Sequence, residues 1–326
     1  FSSCYFALDI TNPAKPALLW EFSSPKDLGF SASYPGVARV GPRDDPGDWY
    51  VIFGSGPTNY EGTSDQQASL YVLDLKTGAL VKQFSGAPLE TNSYMGGVAT
   101  LDFNLDYQTN ALYVGETHDS GGTWGGKMHR VFVATPGTDL YPSPNSWTLT
   151  TLASTKEHQP ITAAPAIAAD QTNTPWVYWG TGRFFSEVDK MQLDTQGFYG
   201  VKDKTLTEGG AAEDHSPSDL IDVSNVVVTF GKPSTVTGSD VVSSGSGWDE
   251  MAAEMRGTEA SPTHGWYFEV TDIAGANAGE RVLVKPSVFG GLTMFTSFKP
   301  INDVCKTGGD GRLYAVYFET GTPFSR

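Results

Sequence analysis

Cysteine is nearly missing from this sequence: two in 326 residues, Cys4 and Cys305, at opposite ends. There is no CxxC pair and no Cys/His cluster, which argues against a thiolate zinc site. A disulfide joining the two ends and a pair of separate thiols both stay open, because spacing does not set the geometry a bridge requires. Basic residues are also scarce. Lys and Arg number 21 against 37 Asp and Glu, a formal net charge of −16. Nucleic acid and anionic lipid are therefore poor partners, and cations are suitable ones. No apolar run approaches the roughly 18–20 residues of a transmembrane helix. The longest stretch of small apolar residues, 163–169, is interrupted by Pro165. Charged residues reach only 18%, too few for a coiled coil. The chain starts at Phe1 without a signal-peptide pattern, which reads as a processed chain or a portion of a longer one.

Glycine, proline and aromatics are plentiful: 37 Gly, 20 Pro, 8 Trp, 14 Tyr and 18 Phe. The aromatics exclude a disordered chain, and the punctuation suits many short strands joined by turns. A unit recurs along the chain. Its first half is an apolar strand, a polar turn and a second apolar strand with a Gly-rich end. It reads PGVARV-GPRDDPGD-WYVIFGSG at 35–56, GGVATL-DFNLDYQTN-ALYVGE at 96–116 and APAIAA-DQTNTP-WVYWGTG at 164–182, with a looser copy at 285–298. The second half is an alternating strand, a turn and another strand, at 69–84, 127–137, 197–206 and 312–324. Period-2 alternation closed by Thr-Gly or Gly-Gly turns marks strands. Four short strands per unit of about 40–50 residues mark a β-propeller blade.

The expected fold is therefore all-β: one propeller domain over 1–326 with four recognisable blades. A half blade at 4–22 reads as the remainder of a unit begun upstream, so the chain reads as the C-terminal part of a larger propeller. Residues 207–263 break the repeat as an insertion and outer-strand region. Within them Trp248, Met251, Ala252 and Met255 stand at i, i+3, i+4 and i+7, which predicts a short amphipathic helix ending at Gly257. GWYFEVTD at 265–272 and GERVLVKP at 279–286 are expected to be outer strands around a long turn.

One turn differs from its counterparts. Asp102, Asn104, Asp106 and Asn110 hold positions 1, 3, 5 and 9 of a calcium loop, and Gln108 stands at position 7, where a main-chain carbonyl ordinarily ligates. Alternate residues of a tight loop turn their oxygens toward one centre, as a hard cation requires. Two features depart from the pattern. Position 6 is Tyr107 where glycine is usual, and position 12 is Tyr113, inside the next strand, where a bidentate Glu is usual. An ordinary Asp/Asn-rich hairpin turn is the competing reading. The acidic turn with Asp44, Asp45 and Asp48 lacks this spacing. Glu116, His118 and Asp119 are a weaker transition-metal candidate. No GxSxG elbow, Walker loop or HExxH motif is present. Histidines are scattered at 118, 129, 158, 215 and 264, and Glu187/Asp189 and Glu213/Asp214 read as solvated loop charges. No catalytic or organic-cofactor residues are assigned, and the chain reads as non-enzymatic.

Several segments, in order and spacing, resemble the C-terminal propeller of the PilY family of type IV pilus biogenesis factors and tip adhesins. They are CYFALDITNPAKPALLWEF, WYVIFGSGPTNYEG with LYVLDLKTGALV, VYWGTGRFFSEVD with QGFYGVKD, and GWYFEV through GERVLVKPSVFGGLTMFTSFKP to CKTGGDGRLYAVYFETG. They cover most of 4–206 and 264–324. The resemblance implies a calcium loop of the form DxNxDxxxD, matched by Asp102, Asn104 and Asp106, with Asn110 where the family usually has Asp. It implies a secreted protein at the bacterial pilus tip, associated with the outer membrane. Such a protein contacts minor pilins and surface or host-cell ligands, promotes pilus assembly or opposes retraction, and responds to Ca²⁺. A quinoprotein-like dehydrogenase, suggested by the Asp74–Gly78 turn, and a carbohydrate-binding or structural propeller, suggested by Trp124, Trp147 and Trp179, are the alternatives.

Overall fold

The computed structural model describes residues 3–325 apart from 25, 233, 258–262, 271–277 and 304. The chain opens with a hairpin of β1 (Cys4–Asp9) and β2 (Ala17–Ser23). Two four-stranded antiparallel sheets follow in simple meander order. The first contains β3 (Gly36–Val40), β4 (Asp48–Gly54), β5 (Leu70–Asp74) and β6 (Leu80–Phe84). The second contains β7 (Ser93–Leu101), β8 (Ala111–Ser120), β9 (Thr123–Phe132) and β10 (Thr148–Ser154). The third begins with β11 (Ala166–Ala169), β12 (Pro175–Gly180) and β13 (Gly197–Lys202). The chain then leaves the sheet through α1 (Lys204–Glu208), β14 (Ile221–Asp222), a hairpin of β15 (Val227–Thr229) and β16 (Thr235–Thr237), and α2 (Trp248–Arg256). It returns as β17 (Gly265–Glu269), which pairs with β13, and β14 adds to β17 in parallel. A last sheet holds β18 (Ser287–Phe289), β19 (Leu292–Pro300) and β20 (Gly309–Tyr317).

The period of two explains how these sheets stack. Alternate side chains of a strand face opposite sides, and here both sides meet a neighbouring sheet. On β4, Tyr50 and Ile52 enter the core shared with the second sheet, while Val51 and Phe53 enter the one shared with the β1–β2 hairpin. On β8, Leu112 and Val114 face back, and Ala111 and Tyr113 face forward. On β12, Val177 and Trp179 face back, and Trp176 and Tyr178 face the last sheet. Each inter-sheet layer is thus filled from both sides, which is blade-on-blade packing. Backbones approach closely where the inner strands meet. A Cβ on Gly54 would lie 2.1 Å from the Cβ of Met95, so only glycine fits there.

Four sequence expectations need correction. Residues 312–324 hold one strand, β20, and no second strand follows it among the described residues. Residues 197–206 do not hold two strands. After β13 the chain turns into α1, because Asp203 is drawn inward to Arg130 of the second sheet, and the fourth strand is supplied by β17 after the excursion. Residues 279–286 form no strand beyond one bridge between Arg281 and Phe298. Arg281 instead folds into the interior and donates to the carbonyls of Gly279, Arg183, Asp189 and Gln192. The long turn before it lies outside the described residues. The second blade's outer strand is β10, beyond the 127–137 segment. Cys4 and Cys305 form no disulfide and stand as thiols.

The expected helix is present, with Trp248, Met251, Ala252 and Met255 buried. Its C-terminal carbonyls are satisfied from outside: Lys202 Nζ donates to Met255 O (3.2 Å) and Arg256 O (2.8 Å), and also to the Thr263 hydroxyl (2.9 Å). Burial lowers the Lys202 pKa to about 8 from 10.5. The folded chain therefore releases this proton first, and between about pH 8 and 10.5 the unfolded chain holds more protons. The contribution of Lys202 to stability rises with pH across that window. Urea midpoints measured at both ends of the window should show this rise in the wild type and a flatter profile in Lys202→Met. Equal profiles would remove the assignment.

Candidate metal loop

The 102–110 loop joins β7 to β8 and is built by its own polar groups. Asp102 caps the turn, accepting from Asp106 N at 3.2 Å and Tyr107 N at 2.9 Å. Asp106 Oδ1 accepts from Gln108 N at 2.8 Å. These bonds hold Leu105 and Tyr107 at φ of 58° and 71°, the left-handed region that disfavours ordinary side chains. Tyr107 thus makes the sharp bend without glycine. Asn110 is fully buried and closes the loop: its Oδ1 accepts from Phe103 N at 2.8 Å and its Nδ2 donates to Tyr141 OH at 2.9 Å. The Gln108 side chain bonds Gly41 N and Asp106, tying the loop to the first blade.

Two contributors were not visible in the local pattern, Asp139 and Tyr141, both on the connection from β9 to β10. Asn104 Nδ2 lies 3.3 Å from Asp106 Oδ2 and 3.1 Å from Asp139 Oδ1. Tyr141 OH donates to Asp106 Oδ2 at 2.9 Å. Burial, together with that bond and the nearby carboxylates, pushes the Tyr141 phenol far above its usual pKa. Only Asp139 and Tyr141, two positions apart in an otherwise plain loop, hinted at this role. Among the described residues, no Lys or Arg forms an ion pair with Asp102, Asp106 or Asp139. Asn104 Oδ1 is buried and has no hydrogen-bond partner. A buried carbonyl oxygen ordinarily finds a donor. The carboxamide presents Nδ2, not Oδ1, to Asp106 and Asp139; turned over, it would bring Oδ1 to those carboxylates, the type of oxygen set a hard cation takes. The residues therefore fit a calcium ion.

The other candidates separate. Glu116 is fully buried, 2.7 Å from His129 Nε2 and accepting from Glu90 N, whereas Asp119 accepts from Gly122 N. Glu116, His118 and Asp119 therefore do not converge on one point. Asp74 Oδ1 accepts from Thr77 N and Oγ1, and Gly78 has φ of 71°, so that turn is a hairpin closure. Trp147 and Trp179 are wholly buried and offer no open stacking platform, and one face of the Trp124 ring is covered by the Arg183 guanidinium at 3.9 Å. Asp189, expected to be solvated, is buried and lies 2.9 Å from Arg183 Nε. Glu213 belongs to a cluster with His215 and His264, considered below.

No family model matches the chain. It is 28% identical over 325 residues to a type IV pilus biogenesis factor PilY1 homolog of Xylella fastidiosa, covering 97% of this chain and 23% of that protein. It is 26% identical over 350 residues to the type IV pilus biogenesis factor PilY1 of Pseudomonas aeruginosa, covering 97% and 29%. The chain thus spans about a quarter of the length of these curated relatives. The crystal structure of the P. aeruginosa PilY1 C-terminal domain superposes with a TM-score of 0.71 at 22% identity, covering 98% of this chain and 66% of that one. The stacked sheets and this superposition define a β-propeller. In particular, the chain is related to the C-terminal domain of PilY1.

Proposed function

We propose that this propeller is part of a type IV pilus biogenesis protein at the bacterial surface, and that calcium in its 102–110 loop regulates it. Similarity to pilus biogenesis factors along almost the whole chain supports the pilus role. The unpartnered Asn104 Oδ1, one half-turn of the carboxamide from Asp106 and Asp139, carries the calcium reading. Asp102, Asn104 and Asp106 supply side-chain oxygens, the Gln108 carbonyl supplies the fourth, and Asp139 adds charge from the neighbouring connection. Asn110, whose carboxamide is committed to Phe103 and Tyr141, holds the loop closed. Bound calcium would replace the Asn104 Nδ2 contacts to Asp106 and Asp139 by a cross-link between the 102–110 loop and the β9–β10 connection. A hundredfold excess over Kd adds about 2.7 kcal/mol to the ordered state. In this reading the ordered rim contacts minor pilins and surface or host-cell ligands, and its state biases assembly against retraction.

The test is genetic. The full-length protein, restored to a strain lacking it, should return surface pili in a calcium-dependent manner, and Asp106→Ala should return them without that dependence. Normal piliation in the strain lacking the protein would overturn the pilus role. Unchanged calcium dependence in Asp106→Ala would overturn the regulatory one.

A further inference from the structure

Glu213, His215 and His264 lie at the two ends of the excursion that interrupts the third blade. They come together because the backbone of each is fixed by a neighbouring element. Glu213 O accepts from Arg130 Nη2 at 2.6 Å. His215 pairs with β10: its N donates to Leu152 O at 3.0 Å, and its O accepts from Ser154 N at 2.8 Å. His264 O accepts from Lys202 N at 2.9 Å, at the end of β13. The imidazoles pack with centroids 4.3 Å apart.

Glu213 Oε2 stands 3.5 Å from His215 Nε2 and 3.9 Å from His264 Nδ1. Both distances are too long for a good hydrogen bond. One ligand atom from each of the three residues lies within 4.8 Å of the others. Among the described residues this is the only such group of His, Cys, Asp and Glu. Donors at about 2.1 Å from one ion, at tetrahedral angles, lie about 3.4 Å apart. Small side-chain rotations therefore bring the three into a coordination shell without moving the backbone.

We propose that Glu213, His215 and His264 bind a divalent transition metal, with zinc as the best-matched ion. Two imidazole nitrogens and one carboxylate oxygen are a zinc donor set, whereas calcium selects all-oxygen shells. Asp203 pairs with Arg130 and offsets part of its charge near the site. The Glu213 and His264 side chains are 46% and 28% exposed, so the fourth position faces solvent and takes water. The metal clips the base of the excursion to the joint between the second and third blades, closing a long loop whose entropy would otherwise favour opening.

The test uses the metal-stripped chain carrying Cys4→Ser and Cys305→Ser, titrated with zinc alone against a chromogenic chelator. One zinc should bind per chain, in the presence of millimolar calcium and unaffected by Asp106→Ala. His264→Ala should weaken binding by more than the roughly 10–100-fold cost of losing an outer-shell partner. The surface change Glu213→Gln should also weaken it, and serves if His264→Ala does not fold. No bound zinc, or affinity unchanged in both variants, overturns the site. The calcium loop is untouched by either result.

Discussion

Asp203→Ala is expected to cost about 3–5 kcal/mol of stability, the range for stripping one partner from a buried ion pair. Asp203 and Arg130 are both wholly buried, and the Arg130 guanidinium lies 2.5 Å from Asp203 Oδ1. Tyr113 OH donates to the other carboxylate oxygen at 2.9 Å. Burial pushes the Asp203 carboxyl upward, and Arg130 and Tyr113 oppose the shift. Arg130 belongs to β9, and Asp203 follows β13, so the pair joins the second and third sheets. The alanine variant leaves a cation in the core with no counter-charge. The double variant Arg130→Met/Asp203→Leu removes both charges and should recover most of the loss. Urea unfolding of the two variants beside the wild type decides this. A loss under about 1 kcal/mol in Asp203→Ala would show that water reaches the guanidinium.

Trp266→Ala should cost a similar amount, about 3–5 kcal/mol, as a large cavity in a close-packed core. Trp266 sits on β17, the strand recruited after the excursion, and is fully buried. Its ring lies about 6 Å from those of Tyr178, Phe198 and Phe268, and its Nε1 donates to Phe318 O at 3.1 Å. A Cβ on Gly321 would lie 2.4 Å from the indole, so the end of the chain packs directly on it. The indole therefore ties the third blade to the last. Phe289→Ala is the control. Phe289 is 80% exposed and should change stability by about 0.5 kcal/mol or less. Equal effects from the two changes would mean that β17 is not integral to the third sheet.

Features that depend on neighbours in sequence were legible. Unbroken apolar runs at Tyr50–Phe53 and Trp176–Trp179 mark strands buried on both faces, and the spacing of Asp102, Asn104 and Asp106 places three oxygens on one turn. The helix at Trp248 was legible for the same reason, since its apolar stripe is written within nine residues. Features that depend on distant pairing were not. Asp139 reaches the 102–110 loop from the next connection, β17 joins β13 across the whole excursion, and Glu213 meets His264 only because those strands pair. Lys204–Leu206 reads as strand until Asp203 finds Arg130. In each case the deciding energy is a tertiary contact, and propensity and spacing carry no trace of it.

The most direct measurement is a calorimetric titration of the purified chain with calcium, beside Asp102→Ala and Asp106→Ala. The account predicts one site, with a Kd on the order of 10⁻⁴–10⁻³ M as for many extracellular modules, lost in both variants while each stays folded. No heat up to millimolar calcium in the folded wild type, or binding unchanged in both variants, would contradict it and reduce the 102–110 loop to a hairpin turn.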